Sequence, residues 1–166
     1  MKLGYTHALQ VDGDNQHNTD AIKVFLSKAE SFPDRLINSY PVYDASAQAI
    51  RQHGRKLTNF WVRLETRSDA IRDAMCGFRV YPLKEIAPLL DKIHFKRMGF
   101  DIEIIVKAYW QGIDIINLPV DVRYPDGGHS NYKLFADNVK ISFLHAYLFC
   151  SSFFAGKRRK REEKAG

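Results

Sequence analysis

Two aspartates one residue apart, Asp12 and Asp14, are the side chains in this sequence that most directly suggest chemistry. They follow the apolar run 8–11, which is typical of a strand buried in a sheet. In α/β sheets ligands bind outside the carboxyl ends of strands, so this pair can hold Mg²⁺ or Mn²⁺, with Gln16 as a third oxygen ligand. The alternative is a polar turn that only ends the strand, because Asp, Gly and Asn are common in turns.

Two later stretches carry candidate catalytic groups. Asp73 and Arg79 flank a backbone bend expected at Gly77, and they can also be explained as a helix-capping acid and a surface arginine. Asp101 and Glu103 fall in the expected first turn of a helix, where acids complement the helix dipole without any catalytic role. The residue types alone leave both explanations open.

A polar loop and a basic helix face are candidate substrate contacts. His129, Ser130 and Lys133 lie in the segment PDGGHSNYK, a flexible loop that can close over a ligand or merely connect elements. Basic residues recur about every fourth position in 46–67, as on a solvated helix face, and they can also contact a phosphate-bearing substrate. They are Arg51, Arg55, Lys56 and Arg63.

Strands and helices are expected to alternate along the chain, as in α/β proteins. Helical spacing predicts helices over 19–33 and 99–112, and a short helix is expected over 83–93. Residues 46–67 contain no proline and one glycine, which predicts a long helix or a broken pair of helices. Strands are predicted over 8–11, 35–43, 78–81 and, as a bent strand or a pair, 113–124. Pro41 and Pro119 are expected at sheet edges or bends.

Composition fits one globular domain. The chain has 166 residues, of which 45% are hydrophobic and 13% aromatic. Its net charge is +6, but residues 157–166 carry +4 of it, so the body lacks the basic surface typical of a nucleic-acid-binding protein. Cys76 and Cys150 show no metal-site spacing and predict reduced thiols in a cytosolic protein without a signal peptide.

Four motifs in one order resemble those of the family 2 glycosyltransferases of GT-A fold. The resemblance includes the branch of dolichyl-phosphate mannose synthase and the bacterial polyprenyl-phosphate glycosyltransferases, and it covers roughly Gly4 to Tyr147. The motifs in this chain are D-x-D-x-Q-H after a strand, D-x-M-C-G-F-R-V-Y-P, G-F-D-I-E-I-I-V-K-A and L-P-V-x-V-x-Y-P-x-G-G-x-S.

The resemblance implies a partial GT-A, Rossmann-like three-layer sandwich with a mixed sheet over residues 1–135. It implies a metal-dependent and inverting transferase, with a nucleotide-diphospho-sugar donor and a lipid-linked or other membrane-associated acceptor. The implied metal ligands are Asp12, Asp14 and Gln16. The implied catalytic acids are Asp101 and Glu103, with Asp73 behind them. The implied substrate-binding residues are Arg79, His129, Ser130 and Lys133.

The family's first two motifs, V-I-P-x-Y-N and D-D-G-S, are not found in this sequence. In the family they hold the nucleotide base and ribose. We therefore expect that an N-terminal nucleotide-binding part is absent, that a sheet edge is exposed, and that the 166-residue chain has little activity by itself.

The C-terminal part predicts an apolar helix over 136–156 followed by a basic disordered tail over 157–166. A helix that is apolar all round is either packed in a core or in contact with a membrane, and this one is too short to span a bilayer. The tail would be attracted to anionic headgroups, so helix and tail together suggest a peripheral membrane dock. A packed terminal helix with a solubilising tail is the alternative.

Two functions of different class follow from the sequence. The first is a cell-envelope glycosyltransferase, located in the cytoplasm or peripherally on the inner face of the cell membrane. The second is a non-catalytic remnant that binds a membrane or a partner protein.

Overall fold

The computed structural model describes residues 4–13, 20–43, 49–122 and 134–162. In these ranges the chain forms a four-stranded mixed sheet and five helices, which confirms the expected α/β class and mixed sheet. The elements are β1 (His7–Gln10), α1 (Ala21–Ser31), β2 (Leu36–Tyr43), α2 (Ala49–Thr66), β3 (Arg79–Pro82), α3 (Leu83–Leu90), α4 (Met98–Trp110), β4 (Ile115–Val122) and α5 (Leu134–Glu162).

The sheet has the strand order β1-β3-β2-β4. β3 is antiparallel to β1 and β2, and β4 is parallel to β2. The prediction that β1 is a buried interior strand is wrong for the sheet that the structure describes, because β1 is its edge and is largely half-buried. A four-residue apolar run does not by itself distinguish an edge strand from a central one.

Both strand prolines lie where a missing N–H group is tolerated. Pro41 lies beyond the stretch of β2 that pairs with β3, which is limited to Ile37 and Asn38. Pro119 lies on β4, an edge of the described sheet, and β4 continues through it as one strand. Pro41 thus pairs with β4 alone among the described strands, although β2 is not an edge strand. Pro119 was expected at a bend, but the described part of 113–124 holds a single strand and not a pair.

Hydrophobic residues form one cluster on each face of the sheet. On β2 Leu36 belongs to the cluster beneath α2, α4 and α5, and its neighbour Ile37 belongs to the cluster beneath α1. Successive side chains of a strand point to opposite faces, so one strand contributes to both cores. The helices therefore cover both faces of the sheet, whereas the candidate site lies at the ends of the strands.

Helix α4 ends close to the predicted position and begins one residue earlier than predicted. Gly112 has φ 88°, a left-handed conformation that suits glycine just after a helix. Because α4 begins at Met98, Asp101 lies in its first turn as expected, whereas Glu103 lies in the second turn.

The C-terminal helix α5 is longer than expected, and it is buried on one side and exposed on the other. It runs to Glu162, so residues 157–162 are helical where a disordered tail was predicted, and Lys, Arg and Glu are good helix formers. Leu144 and Leu148 are fully buried beneath α2 and α4, whereas Phe143 and Phe154 are exposed. Among the residues described, no helix has the length and apolar character required to cross a membrane.

Candidate functional site

Several residues that the sequence singled out lie together where the strands end, at the edge of the sheet that runs across the strands. The carboxyl ends of β1, β2 and β4 lie at the same edge as the amino end of β3, because β3 alone runs in the opposite direction. Gln10, the last residue of β1, pairs with Arg79, the first residue of β3. Asp12 and Gly77 each lie two residues beyond this pair, so they meet at the edge.

The exposed side chain of Asp12 lies against the backbone of Gly77. A Cβ atom added at Gly77 would overlap both carboxylate oxygens of Asp12, so any other residue type there requires the aspartate to move. Glycine is used where a backbone must be approached closely. The contact holds the first of the predicted metal ligands at the carboxyl end of β1.

Asp101 reaches the same edge from the first turn of α4. Its Oδ1 accepts a hydrogen bond of 2.8 Å from Nε2 of Gln10, and Oε1 of Gln10 accepts one of 2.7 Å from the hydroxyl of Tyr81. A side-chain amide with both ends engaged is fixed in orientation. The chain Tyr81, Gln10, Asp101 therefore positions the carboxyl group beside the end of β1.

Burial raises the pKa of the Asp101 carboxyl group. The positive charge of Arg79 and the hydrogen bond from Gln10 oppose this shift, while the negative charge of Asp12 adds to it. Asp12 acts on Asp101 through its charge, because like charges disfavour ionisation, and it lies two residues after the Gln10 that binds Asp101. A carboxyl group with a raised pKa is well suited to accept a proton near neutral pH.

Arg79 is completely buried, so the alternative of a surface arginine is wrong. One terminal nitrogen of its guanidinium donates a 2.7 Å hydrogen bond to the carbonyl oxygen of Asp101, and the other donates one of 2.7 Å to the carbonyl oxygen of Ala74. These contacts connect α4 to the loop 73–77. Arg79 thus fixes the position of Asp101 relative to the loop that contains Gly77.

Asp73 organises that loop. Its Oδ1 accepts hydrogen bonds from the backbone N–H groups of Met75 and Cys76 at 2.9 and 2.8 Å, and from the guanidinium of Arg55 at 2.7 Å. Its Oδ2 accepts one of 3.1 Å from the amide of Asn59. Asp73 was considered as a helix cap and as a catalytic acid, but the structure places it in a loop, buried, with both oxygens bonded within the protein.

Glu103 lies apart from Asp101 although only two positions separate them. Two residues of a helix differ by about 200° around its axis, so the two side chains point in different directions. Oε2 of Glu103 accepts 2.8 Å hydrogen bonds from the backbone of His94 and Phe95, and Oε1 accepts one of 2.6 Å from Nζ of Lys107. The structure therefore does not bring Glu103 to the edge that holds Asp12.

A cleft of about 450 Å³ opens at the carboxyl end of β2. Its lining is basic and aromatic, and Asp73 connects it through the loop 73–77 to the Asp12 contact. The lining residues are Tyr40, Pro41, Tyr43, Arg55, Lys56, Asn59, Arg72 and Asp73. Arg55 and Lys56 were predicted as possible phosphate contacts, whereas the two tyrosines, Asn59 and Arg72 were not recognised.

The cations of the cleft are held in different ways. Burial by itself would lower the pKa of Arg55, but the carboxylate of Asp73 raises it and the net shift is upward, so Arg55 is always charged. The guanidinium of Arg72 stacks 4.8 Å from the ring centre of Tyr40, and Lys56 is exposed. A sequence signal for this cleft existed only in the basic spacing on α2, because Arg72 and Tyr40 come from other elements.

Several predicted site residues lie outside the described ranges: Asp14, Gln16, His129, Ser130 and Lys133. Within the part of the chain that is described, no three His, Cys, Asp or Glu side chains converge as a metal site. Asp12 is the one predicted metal ligand whose position is known, and the nearby carboxyl group of Asp101 is a second oxygen donor of the kind that Mg²⁺ and Mn²⁺ bind.

Part of the chain is similar to known glycosyltransferases. A segment of 79 residues is 32% identical to the dolichyl-phosphate beta-glucosyltransferase ALG5A of Trichomonas vaginalis, and the match covers 45% of this chain and 24% of that protein. A segment of 73 residues is 29% identical to the dolichyl-phosphate beta-glucosyltransferase of Saccharomyces cerevisiae, covering 44% of this chain and 21% of that protein.

The matches span less than a quarter of the length of these relatives. No protein-family model matches the chain, and no solved structure does. The similarity thus relates the chain distantly, and over part of its length, to glycosyltransferases.

Proposed function

We propose that this chain is part of a metal-dependent, inverting glycosyltransferase that moves a sugar from a nucleotide-diphospho-sugar to a lipid-linked or other membrane-associated acceptor. The observation that carries the proposal is that Asp101 is bonded to Gln10 at the carboxyl end of β1, two residues before Asp12, and that a basic cleft opens at the carboxyl end of β2. The names of the relatives make a polyprenyl-type phosphate the first acceptor to test and glucose the first sugar. Such an acceptor suits a protein located at the inner face of the cell membrane.

Asp12, together with Asp14 and Gln16, would hold the cation. Two carboxyl groups near each other repel when both are ionised, and the raised pKa of Asp101 reflects this repulsion in part. A divalent cation held by Asp12 would reduce this repulsion. When bound, it would also neutralise the charge that develops on the departing nucleoside diphosphate.

Asp101 is the proposed general base for a hydroxyl acceptor. Its carboxyl group is half-buried, has a raised pKa and is oriented by Gln10. Inversion requires the acceptor oxygen to attack opposite the bond that breaks, and a hydroxyl oxygen must lose its proton during that attack. A phosphate acceptor is already ionised at neutral pH, so no base is then required of Asp101.

The basic cleft is the proposed site for the acceptor phosphate. Arg55, Lys56 and Arg72 all line the cleft, and Arg55 forms an ion pair with Asp73. Guanidinium groups bind phosphate oxygens with two parallel hydrogen bonds, and Arg72 presents such a group on the face of Tyr40. The loop 73–77 would bring this phosphate next to the residues at the end of β1.

The metal site is tested by thermal shift of the purified chain with Mn²⁺ and inorganic pyrophosphate, a diphosphate whose binding needs no contacts to a base or ribose. We expect the diphosphate to raise Tm only when Mn²⁺ is present, because a ligand that binds only the folded state stabilises it. Asp12→Asn should abolish this rise. Asp91→Asn, an exposed aspartate at the end of α3, is the control and should retain it. An equal rise in both variants would contradict the role of Asp12.

The role of Asp101 is tested by sugar transfer from labelled nucleotide sugars to a polyprenol and to a polyprenyl phosphate, with an N-terminal nucleotide-binding part joined to the chain. Asp101→Asn should lower kcat for the hydroxyl acceptor by about a hundredfold or more, the range typical of a lost general base, and should remove the acidic limb of the pH profile. Transfer to the phosphate acceptor should fall much less. Equal losses with both acceptors would show that Asp101 is not a base.

A further inference from the structure

Helix α5 carries an exposed apolar stripe along its outer face. The members lie at spacings of three and four residues, so they fall within about 100° of one another around the helix axis. They are Val139, Phe143, Ala146, Cys150, Phe153 and Phe154. Phe143 is 69% exposed and Phe154 is 79% exposed, values that are high for phenylalanine in a folded protein.

The opposite face of α5 fixes the direction of this stripe. Leu144 and Leu148 are fully buried against α2 and α4, and His145 makes a 2.8 Å contact with the buried Glu65 of α2. The part of the helix from Leu144 to Ser152 is therefore held on the body of the protein. A flat surface that approached α5 from outside would contact the stripe over about 22 Å, the length of its 16 residues from first to last.

The same helix continues into a run of positive charge. Lys157–Arg161 are five consecutive basic residues, and the backbone of α5 is helical through Glu162. Residues 157–166 carry six basic and two acidic side chains, which give +4. An apolar stripe and a cationic segment thus follow each other on one continuous helix.

We propose that the stripe and the basic run together form a docking surface for an anionic lipid bilayer, with α5 lying along the membrane plane. The aromatic side chains of the stripe enter the boundary between headgroups and acyl chains, and Lys157–Arg161 bind anionic headgroups. An uncharged apolar partner would account for the phenylalanines but not for five consecutive cations on the same helix. The bilayer accounts for both features.

This proposal does not depend on the sugar-transfer proposal. Bilayer docking is measured with vesicles that contain neither a nucleotide sugar nor a polyprenyl acceptor, so each proposal can fail without the other. The experiment is flotation of the full chain with vesicles of phosphatidylcholine alone and of phosphatidylcholine mixed with phosphatidylserine. We expect the chain to float with the mixed vesicles and to remain at the bottom with the neutral ones.

Two exposed phenylalanines test the stripe. Phe143→Ser/Phe154→Ser should weaken binding to the mixed vesicles at least about tenfold, because each exposed aromatic ring loses its transfer into the lipid. The control is Val24→Ser/Leu26→Ser, two exposed apolar residues of α1 on the other face of the sheet, and it should bind like the wild type. Circular dichroism should show the same helix content in both, because all four side chains are exposed.

The basic run is tested in the same way. Arg158→Gln/Arg159→Gln/Lys160→Gln should weaken binding to mixed vesicles and reduce its dependence on salt. The control lowers the net charge equally at exposed lysines elsewhere, with Lys23→Gln/Lys84→Gln/Lys96→Gln, and should bind like the wild type.

Three outcomes would overturn the proposal. The first is binding that is equal for neutral and mixed vesicles. The second is wild-type binding by both the stripe variant and the basic-run variant. The third is a dimer of the free chain in light scattering that becomes a monomer with Phe143→Ser/Phe154→Ser while vesicles fail to bind, since the stripe would then be covered by a second copy.

Discussion

The carboxylate of Asp12 lies on the backbone of Gly77, so the position of a proposed metal ligand depends on the absence of a side chain two residues before β3. The two residues are far apart in the sequence and meet because β1 and β3 pair in one register. This contact gives the proposed metal site a test that does not alter any ligand atom.

Gly77→Ala should displace Asp12, because the added Cβ would overlap its carboxylate. We expect the Mn²⁺-dependent rise of Tm with pyrophosphate to disappear, while the free energy of unfolding changes by less than about 1 kcal/mol, because the exposed end of the Asp12 side chain can move aside. Gly54→Ala is the matched control. No atom lies within 4 Å of its added Cβ, and alanine should stabilise α2 by about 1 kcal/mol without changing the ligand response.

Asp73→Ala should destabilise the protein by about 3 kcal/mol, because it removes four hydrogen bonds and leaves the guanidinium of Arg55 without its buried partner. Asp69→Ala breaks an ion pair with Arg63 whose side chains are 62% and 78% exposed, and should change stability by less than about 1 kcal/mol. Urea unfolding measures both. Equal losses would show that Asp73 does not organise the loop.

Glu65→Gln should change how stability depends on pH. Burial raises the pKa of Glu65, and the hydrogen bond with His145 offsets this only in part. The folded protein therefore holds this proton to higher pH than the unfolded chain, so the contribution of Glu65 is complete below the ordinary carboxyl range and is lost as the pH rises through the raised pKa.

The unfolding free energy of Glu65→Gln should accordingly fall less than that of the wild type between acidic and neutral pH. Glu30→Gln, an exposed position on α1, should follow the wild-type curve. Urea titrations over a pH series provide the measurement. A wild-type slope in Glu65→Gln would assign the pH dependence to other groups.

Lys56→Gln/Arg72→Gln should raise KM for a polyprenyl phosphate by about tenfold, because two charge-assisted contacts to the phosphate are lost. kcat should stay nearly unchanged, since neither residue contacts the end of β1 in this structure. Lys84→Gln on α3 is the control. Unchanged KM in the double variant would place the acceptor phosphate elsewhere.

The helices were predictable because their signals are local. The apolar spacing in 19–33 and 99–112 located α1 and α4 to within a few residues, and Gly112 marked the end of α4. The absence of proline in 46–67 located α2, which is one continuous helix. The edge position of β1 was not predictable in this way, since strand order depends on pairing with distant segments. The continuation of α5 through its basic residues was also missed, because charge runs are typical of both disorder and exposed helix.

The candidate site was predictable in its residue types but not in its contacts. Asp12 and Asp101 were singled out, yet the hydrogen bond from Gln10 to Asp101 joins positions 91 residues apart. The burial of Arg79 was missed because its partners are carbonyl oxygens, which no sequence pattern reveals. Glu103 was paired with Asp101 by proximity in sequence, whereas helical geometry turns it toward the loop at His94.

A single guanidinium joins the carbonyl groups of Asp101 and Ala74, and so the first turn of α4 and the loop after Asp73 cannot shift independently. Any event that displaces one of them is transmitted to the other, and with it to both carboxyl groups at the end of β1. Lysine, with one nitrogen on a flexible stem, would not couple them. The relative position of these two parts of the proposed site therefore depends on one fully buried residue.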